Sequence, residues 1–92
     1  MKITFDPRAS DDLDRIFDWI AKDNPRAAHD VIDAIETRMT RLASLGFPEI
    51  GRPGMVEGTR ELVLAPLIVV YKIDNARREI VVLAIFHGAQ DR

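Results

Sequence analysis

The sequence contains no cysteine and only two histidines, which limits the kinds of site it can build. Without cysteine there can be no disulfide framework and no thiolate ligand for a metal ion. His29 and His87 are far apart in the sequence, so a zinc site would also have to recruit carboxylates. We therefore expect no metal site and no other cofactor.

The chain also lacks long hydrophobic runs and an excess of positive charge. No apolar run approaches the ~18–20 residues needed to cross a bilayer, and the first residues contain no apolar core of a signal peptide. These absences predict a cytoplasmic protein without membrane contact. The net charge is −2, which is opposite in sign to the balance typical of proteins that bind nucleic-acid phosphates.

The length and the hydrophobic content of the chain are sufficient for one small folded domain. The chain has 92 residues, of which 47% are hydrophobic. A chain of this length can bury one modest core, so residues 1–92 are predicted to form a single domain.

The N-terminal half predicts a strand followed by two helices. Residues 2–5 alternate polar and apolar side chains, as a half-buried strand does. Asp6-Pro7 and Asn24-Pro25 each place a capping residue before a proline, which is typical of a helix start. Each helix carries one apolar stripe. The stripes comprise Ala9, Leu13, Ile16, Phe17 and Ile20 in the first helix, and Ala28, Val31, Ile32, Ile35, Met39 and Leu42 in the second.

The short link between these stripes favours an antiparallel helical hairpin. Gly46 and Pro48 are predicted to end the second helix. A loop rich in glycine and proline is expected from residue 47 to residue 58, held to the body by Phe47, Ile50 or Met55.

The last third of the chain contains three β-rich runs separated by two turn signals. The runs lie within residues 58–64, 67–73 and 79–88, and such spacing predicts a three-stranded antiparallel meander. The second and third runs are apolar at nearly every position, so both sheet faces should be mostly covered. The hairpin can cover one face, whereas no element remains to cover the other fully. The predicted fold is therefore α+β, with an apolar sheet face or edge that implies a protein partner.

Four segments in this order resemble the ParE/RelE superfamily of toxins from type II toxin–antitoxin systems, and they are most similar to its ParE branch. They are Pro48-x-x-Gly51-Arg52, Gly58-Thr59-Arg60-Glu61-Leu62, Val69-Val70-Tyr71-Lys72-Ile73 and His87-Gly88-Ala89-Gln90-Asp91-Arg92. The resemblance covers essentially the whole chain. It implies a toxin that is neutralised by a cognate antitoxin and that reaches operator DNA only through that antitoxin.

The resemblance leaves two activities open, because ParE-type toxins poison DNA gyrase whereas RelE-type toxins cut mRNA on the ribosome. A ribonuclease of this kind needs cations that converge on one phosphate and a nearby acid or base. Matched to RelE-like nucleases, the basic positions fall on Leu64, near Ile68 and near Gln90. We therefore favour a gyrase poison without catalytic residues over an mRNA interferase. A third possibility is a co-repressor that has lost toxicity.

The polar and aromatic residues of these segments are the candidate site. Target contacts are expected from Arg60, His87, Gln90, Asp91 and Arg92, and antitoxin contacts from Trp19 and Tyr71. Four of these residues also have a structural interpretation. Arg60 could anchor the turn at Gly51, His87 could bond neighbouring groups, Tyr71 could flank the core, and Trp19 could pack on the rim of the hairpin.

Overall fold

A computed structural model of the chain describes residues 1–44 and 51–87. The elements follow in the order β1 (Lys2–Phe5), α1 (Pro7–Ala21), α2 (Pro25–Ser44), β2 (Arg52–Pro53), β3 (Arg60–Leu64), β4 (Leu67–Asp74) and β5 (Glu79–His87). This is the predicted α+β arrangement with one addition. The sequence predicted a loop from residue 47 to 58 and missed the two-residue strand β2. The predictions for Gly46, Phe47, Pro48 and Ile50 lie outside the described residues.

Both helices begin at the predicted caps. The Asp6 carboxylate accepts a hydrogen bond from the Arg8 backbone N–H at 3.0 Å, and the Asn24 side-chain oxygen accepts one from the Ala27 N–H at 3.1 Å. These bonds satisfy donors that an α-helix leaves unpaired at its N-terminus. Neither described helix is long and apolar enough to span a membrane.

The five strands form one sheet in the order β1-β5-β4-β3-β2. β3, β4 and β5 pair antiparallel, which confirms the predicted meander. β1 pairs parallel with the first half of β5, from Lys2 opposite Glu79 to Phe5 opposite Val82. The sequence did not determine where β1 lies in the sheet. The parallel pairing requires the chain to cross over before β5, and the crossover includes the helical hairpin.

The two faces of the sheet have different surroundings. The helix face packs against α1 and α2, and its side chains join Ala9, Ile35 and Met39 in one buried core. The opposite side, called here the outer face, consists of the strand residues that alternate with the helix-face residues along each strand. The helix face contains Leu62, Leu67, Val69, Tyr71, Ile80, Val82 and Ile85. The outer face contains Glu61, Val63, Ile68, Val70, Ala84 and Phe86.

The outer face is not fully closed by the described elements. Val63 on β3 is 49% exposed, and Val70 and Phe86 are partly exposed. Ile68 is buried between its strand neighbours Val63 and Phe86. The expected partly open apolar sheet face is therefore present.

Candidate partner-binding sites

Arg60 lies at the end of β3 that is remote from the β3–β4 turn, in a polar cluster that we call the Gly51 junction. Its Nη1 donates to the Gly51 carbonyl at 3.0 Å, and the Gly51 N–H donates to the Tyr71 hydroxyl oxygen at 3.1 Å. Next to it, Arg52 Nη2 lies 3.0 Å from Oε1 of Glu61, whose side chain is almost fully buried. The junction therefore attaches the start of β2 to β3 and β4, which confirms the structural interpretation of Arg60.

The junction requires a glycine at its centre. A Cβ atom added to Gly51 would lie 2.7 Å from both the Glu61 carbonyl oxygen and the Tyr71 hydroxyl oxygen. Glycine permits this close backbone approach because it has no side chain.

Tyr71 is completely buried in the helix face. The sequence suggested it as an antitoxin contact. Its ring packs in the core and its hydroxyl accepts from Gly51, so the side chain offers no surface to a partner in this conformation. Tyr71 is therefore a core residue in this fold and not an exposed contact.

His87 and Trp19 meet at the opposite end of the sheet. Their rings form an edge-to-face pair with centroids 5.6 Å apart, an arrangement that aromatic quadrupoles favour. Trp19 is nevertheless 62% exposed. Both residues line an apolar groove of about 460 Å³ between the helical hairpin and the β3–β4 turn, called here the hairpin groove. Its other lining residues are Ile20, Val31, Ala34, Ile35, Leu64, Ala65, Pro66 and Leu67.

The structure does not bring Arg60 and His87 together. Arg60 pairs with Tyr71 and His87 pairs with Leu67, so the two positions are four residues apart along β4. At roughly 3.3 Å per residue this is about 13 Å along the strand, in addition to the distance across two strands. The remaining predicted target contacts, Gln90, Asp91 and Arg92, lie outside the described residues.

A second, larger cleft was not predicted from the sequence. It has a volume of about 820 Å³ and lies between α1, the outer face and the β2–β3 loop, and we call it the α1–sheet cleft. Its lining residues are Arg8, Asp11, Asp12, Arg15, Met55, Val56, Thr59, Glu61, Val70, Leu83, Ala84 and Phe86.

One feature of the sequence could have indicated this cleft, namely the apolar pair Met55-Val56 in a segment otherwise rich in glycine and polar residues. The sequence instead predicted that Met55 could hold this loop to the body of the protein. Met55 is 74% exposed, and Val56 is 69% exposed. Two adjacent large apolar side chains at the surface therefore border a concave site instead of holding the loop to the core.

Asp12, one of the residues that line the α1–sheet cleft, connects α1 to β5. Its Oδ2 accepts the Ile85 backbone N–H at 3.0 Å, and its other oxygen pairs with Arg15. Ile85 lies beyond the part of β5 that pairs with β1, so Asp12 satisfies a donor on an otherwise open strand edge.

The described residues contain no group of three or more histidine, aspartate or glutamate side chains that could hold a metal ion. Their geometry instead offers two concave, largely apolar surfaces at which another macromolecule could bind. The class defined by the fold and these surfaces is a small α+β protein with two concave, largely apolar surfaces.

Comparison with known proteins assigns the chain to a family within that class. Residues 3–92 match the family described as the ParE toxin of type II toxin–antitoxin system, parDE. The chain belongs to this family of toxins.

Relatives agree with this assignment. A protein of Sinorhizobium fredii (strain NBRC 101917 / NGR234) named "Putative toxin Y4kP" is 41% identical over 91 residues, covering 97% of this chain and 90% of the relative. A structure of the chromosomal ParDE toxin–antitoxin system from P. aeruginosa matches with a TM-score of 0.79 at 27% identity, covering 95% of both chains. The isolated E. coli RelE toxin shares the fold, with a TM-score of 0.70 at 11% identity over 99% of this chain and 87% of RelE.

Proposed function

We propose that this toxin poisons DNA gyrase by binding it, without chemistry of its own, and that a cognate antitoxin neutralises it in the cytoplasm. In this proposal the toxin reaches operator DNA only through the antitoxin. The ParE family assignment supports the gyrase-directed branch, and the separation of Arg60 from His87 in the sheet is the structural observation that carries it.

That separation does not suit phosphodiester cleavage by the residues that the sequence suggested. A ribonuclease must place cations and an acid or base around one phosphate. Arg60 bonds to the Gly51 carbonyl at one end of the sheet, whereas His87 packs against Trp19 at the other. Leu64 and Ile68, where matching to nucleases placed basic residues, contribute apolar side chains. This separation favours a toxin that acts through contact.

The hairpin groove supports an antitoxin as partner. Its lining is almost entirely apolar, and the strongly exposed Trp19 ring stands at its edge. A large aromatic residue beside an apolar groove is typical of the anchors that dominate protein–protein binding energy. The structurally similar P. aeruginosa protein was determined as part of a ParDE toxin–antitoxin system. We propose that the antitoxin contacts Trp19 here.

The test is an assay with two arms that uses the purified protein. One arm measures supercoiling by DNA gyrase and the accumulation of cleaved DNA, and the other measures cutting of ribosome-bound mRNA. We expect inhibited supercoiling with intact message. Codon-phased cuts in the message with normal supercoiling would instead identify an mRNA interferase.

Variants then separate the proposed contacts. Arg60→Ala and His87→Ala test proposed target contacts at opposite ends of the sheet. Because Arg60 also bonds to the Gly51 carbonyl, a loss of activity in Arg60→Ala indicates a target contact only if its thermal unfolding matches that of the wild type. A chain that neither inhibits gyrase nor arrests growth, yet binds its antitoxin, would be a non-toxic co-repressor.

A further inference from the structure

We propose that the buried Tyr71 hydroxyl is a positioning group for the toxin's activity, because it holds Gly51 in the place from which Gly51 orients Arg60 toward the target. Tyr71 itself does not touch the target. This inference rests on the proposed function in one respect, namely that Arg60 is a target contact. It does not depend on the target being DNA gyrase.

Two hydrogen bonds connect Tyr71 to Arg60 through one residue. The Gly51 N–H donates to the Tyr71 hydroxyl oxygen at 3.1 Å, and the Gly51 carbonyl accepts from Arg60 Nη1 at 3.0 Å. Tyr71 and Arg60 are directly opposite each other on β4 and β3, so their side chains project from the same face of the sheet. Gly51 is thus the link between a core side chain and a partly exposed one.

The Tyr71 end of this link is fixed. The Tyr71 ring is completely buried among the helix-face side chains. A Cβ atom added to Gly51 would lie 2.7 Å from the Tyr71 hydroxyl oxygen and 3.1 Å from the ring carbon Cε1, so the Gly51 backbone rests directly against the ring. Because a buried N–H without an acceptor costs free energy, the hydroxyl favours this one position of Gly51.

The Arg60 end of the link is partly exposed. An arginine side chain has many rotamers, and ordering it during binding lowers affinity. The bond to the Gly51 carbonyl restricts the Arg60 guanidinium before a partner arrives. The position of Gly51, and therefore the Tyr71 hydroxyl, determines where this restricted cation lies.

The attachment of β2 to the sheet does not depend on the Tyr71 hydroxyl alone. Arg52 Nη2 lies 3.0 Å from Oε1 of the buried Glu61, and β2 pairs with the start of β3. Removal of the hydroxyl should therefore leave β2 in the sheet. The expected consequence is a folded protein in which Arg60 has lost its fixed orientation.

Tyr71→Phe tests the inference, because it removes the hydroxyl and keeps the ring in the core. Val69→Ala is the matched control. It changes a fully buried residue of the same strand and the same sheet face, outside the Gly51 junction, and it should destabilise the fold at least as much. The readouts are growth arrest on expression and inhibition of purified gyrase at a temperature at which thermal unfolding shows every variant to be folded.

We expect Tyr71→Phe to weaken growth arrest and to raise the half-inhibitory concentration for gyrase about two- to tenfold, the loss typical of ordering one long side chain on binding. Arg60→Ala should raise this concentration at least as much. The double variant should show no further loss, because both changes act on one contact. Val69→Ala should remain close to the wild type.

Neutralisation by co-expressed antitoxin provides a readout that a purely structural role would not separate from toxicity. The hairpin groove, where we propose that the antitoxin binds, lies at the other end of the sheet from the Gly51 junction. Tyr71→Phe should therefore bind the antitoxin as tightly as the wild type does, while its inhibition of the target falls.

The outcomes distinguish this inference from the proposed function. If folded Tyr71→Phe is as toxic as the wild type, the inference is wrong. It is also wrong if the loss in Tyr71→Phe adds to that in Arg60→Ala, is matched by Val69→Ala, or extends equally to antitoxin binding. If growth arrest follows the expected order but the wild type leaves gyrase unaffected, only the gyrase proposal fails. A folded Arg60→Ala variant with full activity would overturn both the Arg60 contact and this inference.

Discussion

The helix face and the outer face are formed by alternate residues of the same strands, yet they differ in how completely their side chains are buried. On the helix face, Val69, Tyr71, Ile80 and Val82 are fully buried against the helical hairpin. On the outer face, Val63 is half exposed and the strands form the floor of an 820 Å³ cleft.

This difference separates the side of the sheet that stabilises the fold from the side that remains partly accessible. The helix face contributes most of the buried apolar contacts and therefore most of the favourable free energy of folding. The outer face keeps apolar area, including Val63, that residues 1–44 and 51–87 leave partly exposed. Substitutions on the two faces should accordingly have different consequences.

The largest expected effect is on the helix face. Val69→Ala should lower the free energy of unfolding by about 2 kcal/mol, because it removes two buried methyl groups and leaves a cavity. Val63→Ala, the same chemical change on the outer face, should cost less than about 1 kcal/mol. Urea denaturation of both variants measures the difference. Equal losses would mean that the outer face is as fully packed as the helix face.

The Gly51 junction connects the two faces and should show an intermediate effect. Tyr71→Phe removes the acceptor of the buried Gly51 N–H while keeping the ring in the core. We expect a loss of about 1–2 kcal/mol in the free energy of unfolding. Amide hydrogen exchange should show faster exchange at Gly51 than in the wild type, and unchanged protection there would argue against the hydrogen bond.

The smallest expected effect concerns Asp12 at the edge of β5. Asp12→Ala should cost about 1 kcal/mol because the Ile85 N–H loses its acceptor. Asp12→Asn should restore most of that loss, since an amide oxygen can accept the same bond. Thermal unfolding compares the two variants. If they are equally destabilised, the charge of Asp12 matters more than its hydrogen bond to β5.

Local patterns determined much of the architecture. The helix starts at Asp6-Pro7 and Asn24-Pro25 depend on capping chemistry within a few residues, and the apolar stripes that include Ile35 and Met39 follow the helical repeat. The antiparallel meander could be predicted because turn signals separate its β-rich runs. These features could be predicted because the interactions that produce them lie close together in the sequence.

The candidate sites were predicted only in part. Trp19 was identified as a rim residue of the helical hairpin, and the bond from Arg60 to the Gly51 turn was among the alternatives considered. The full burial of Tyr71, the pairing of Trp19 with His87 and the α1–sheet cleft were not predicted. Each depends on side chains that are distant in sequence and meet only after the sheet and helices have packed.

The sequence by itself determined the α+β class, the order of the main elements, the helix caps and the existence of a partly open apolar sheet face. Only the tertiary structure decided that β1 lies parallel beside β5, that Asp12 of α1 satisfies the Ile85 N–H and that the β2–β3 loop faces α1 across a cleft. The physical reason is that helix caps and hydrophobic periodicity are local, whereas strand neighbours and clefts depend on how several separately encoded surfaces are buried together.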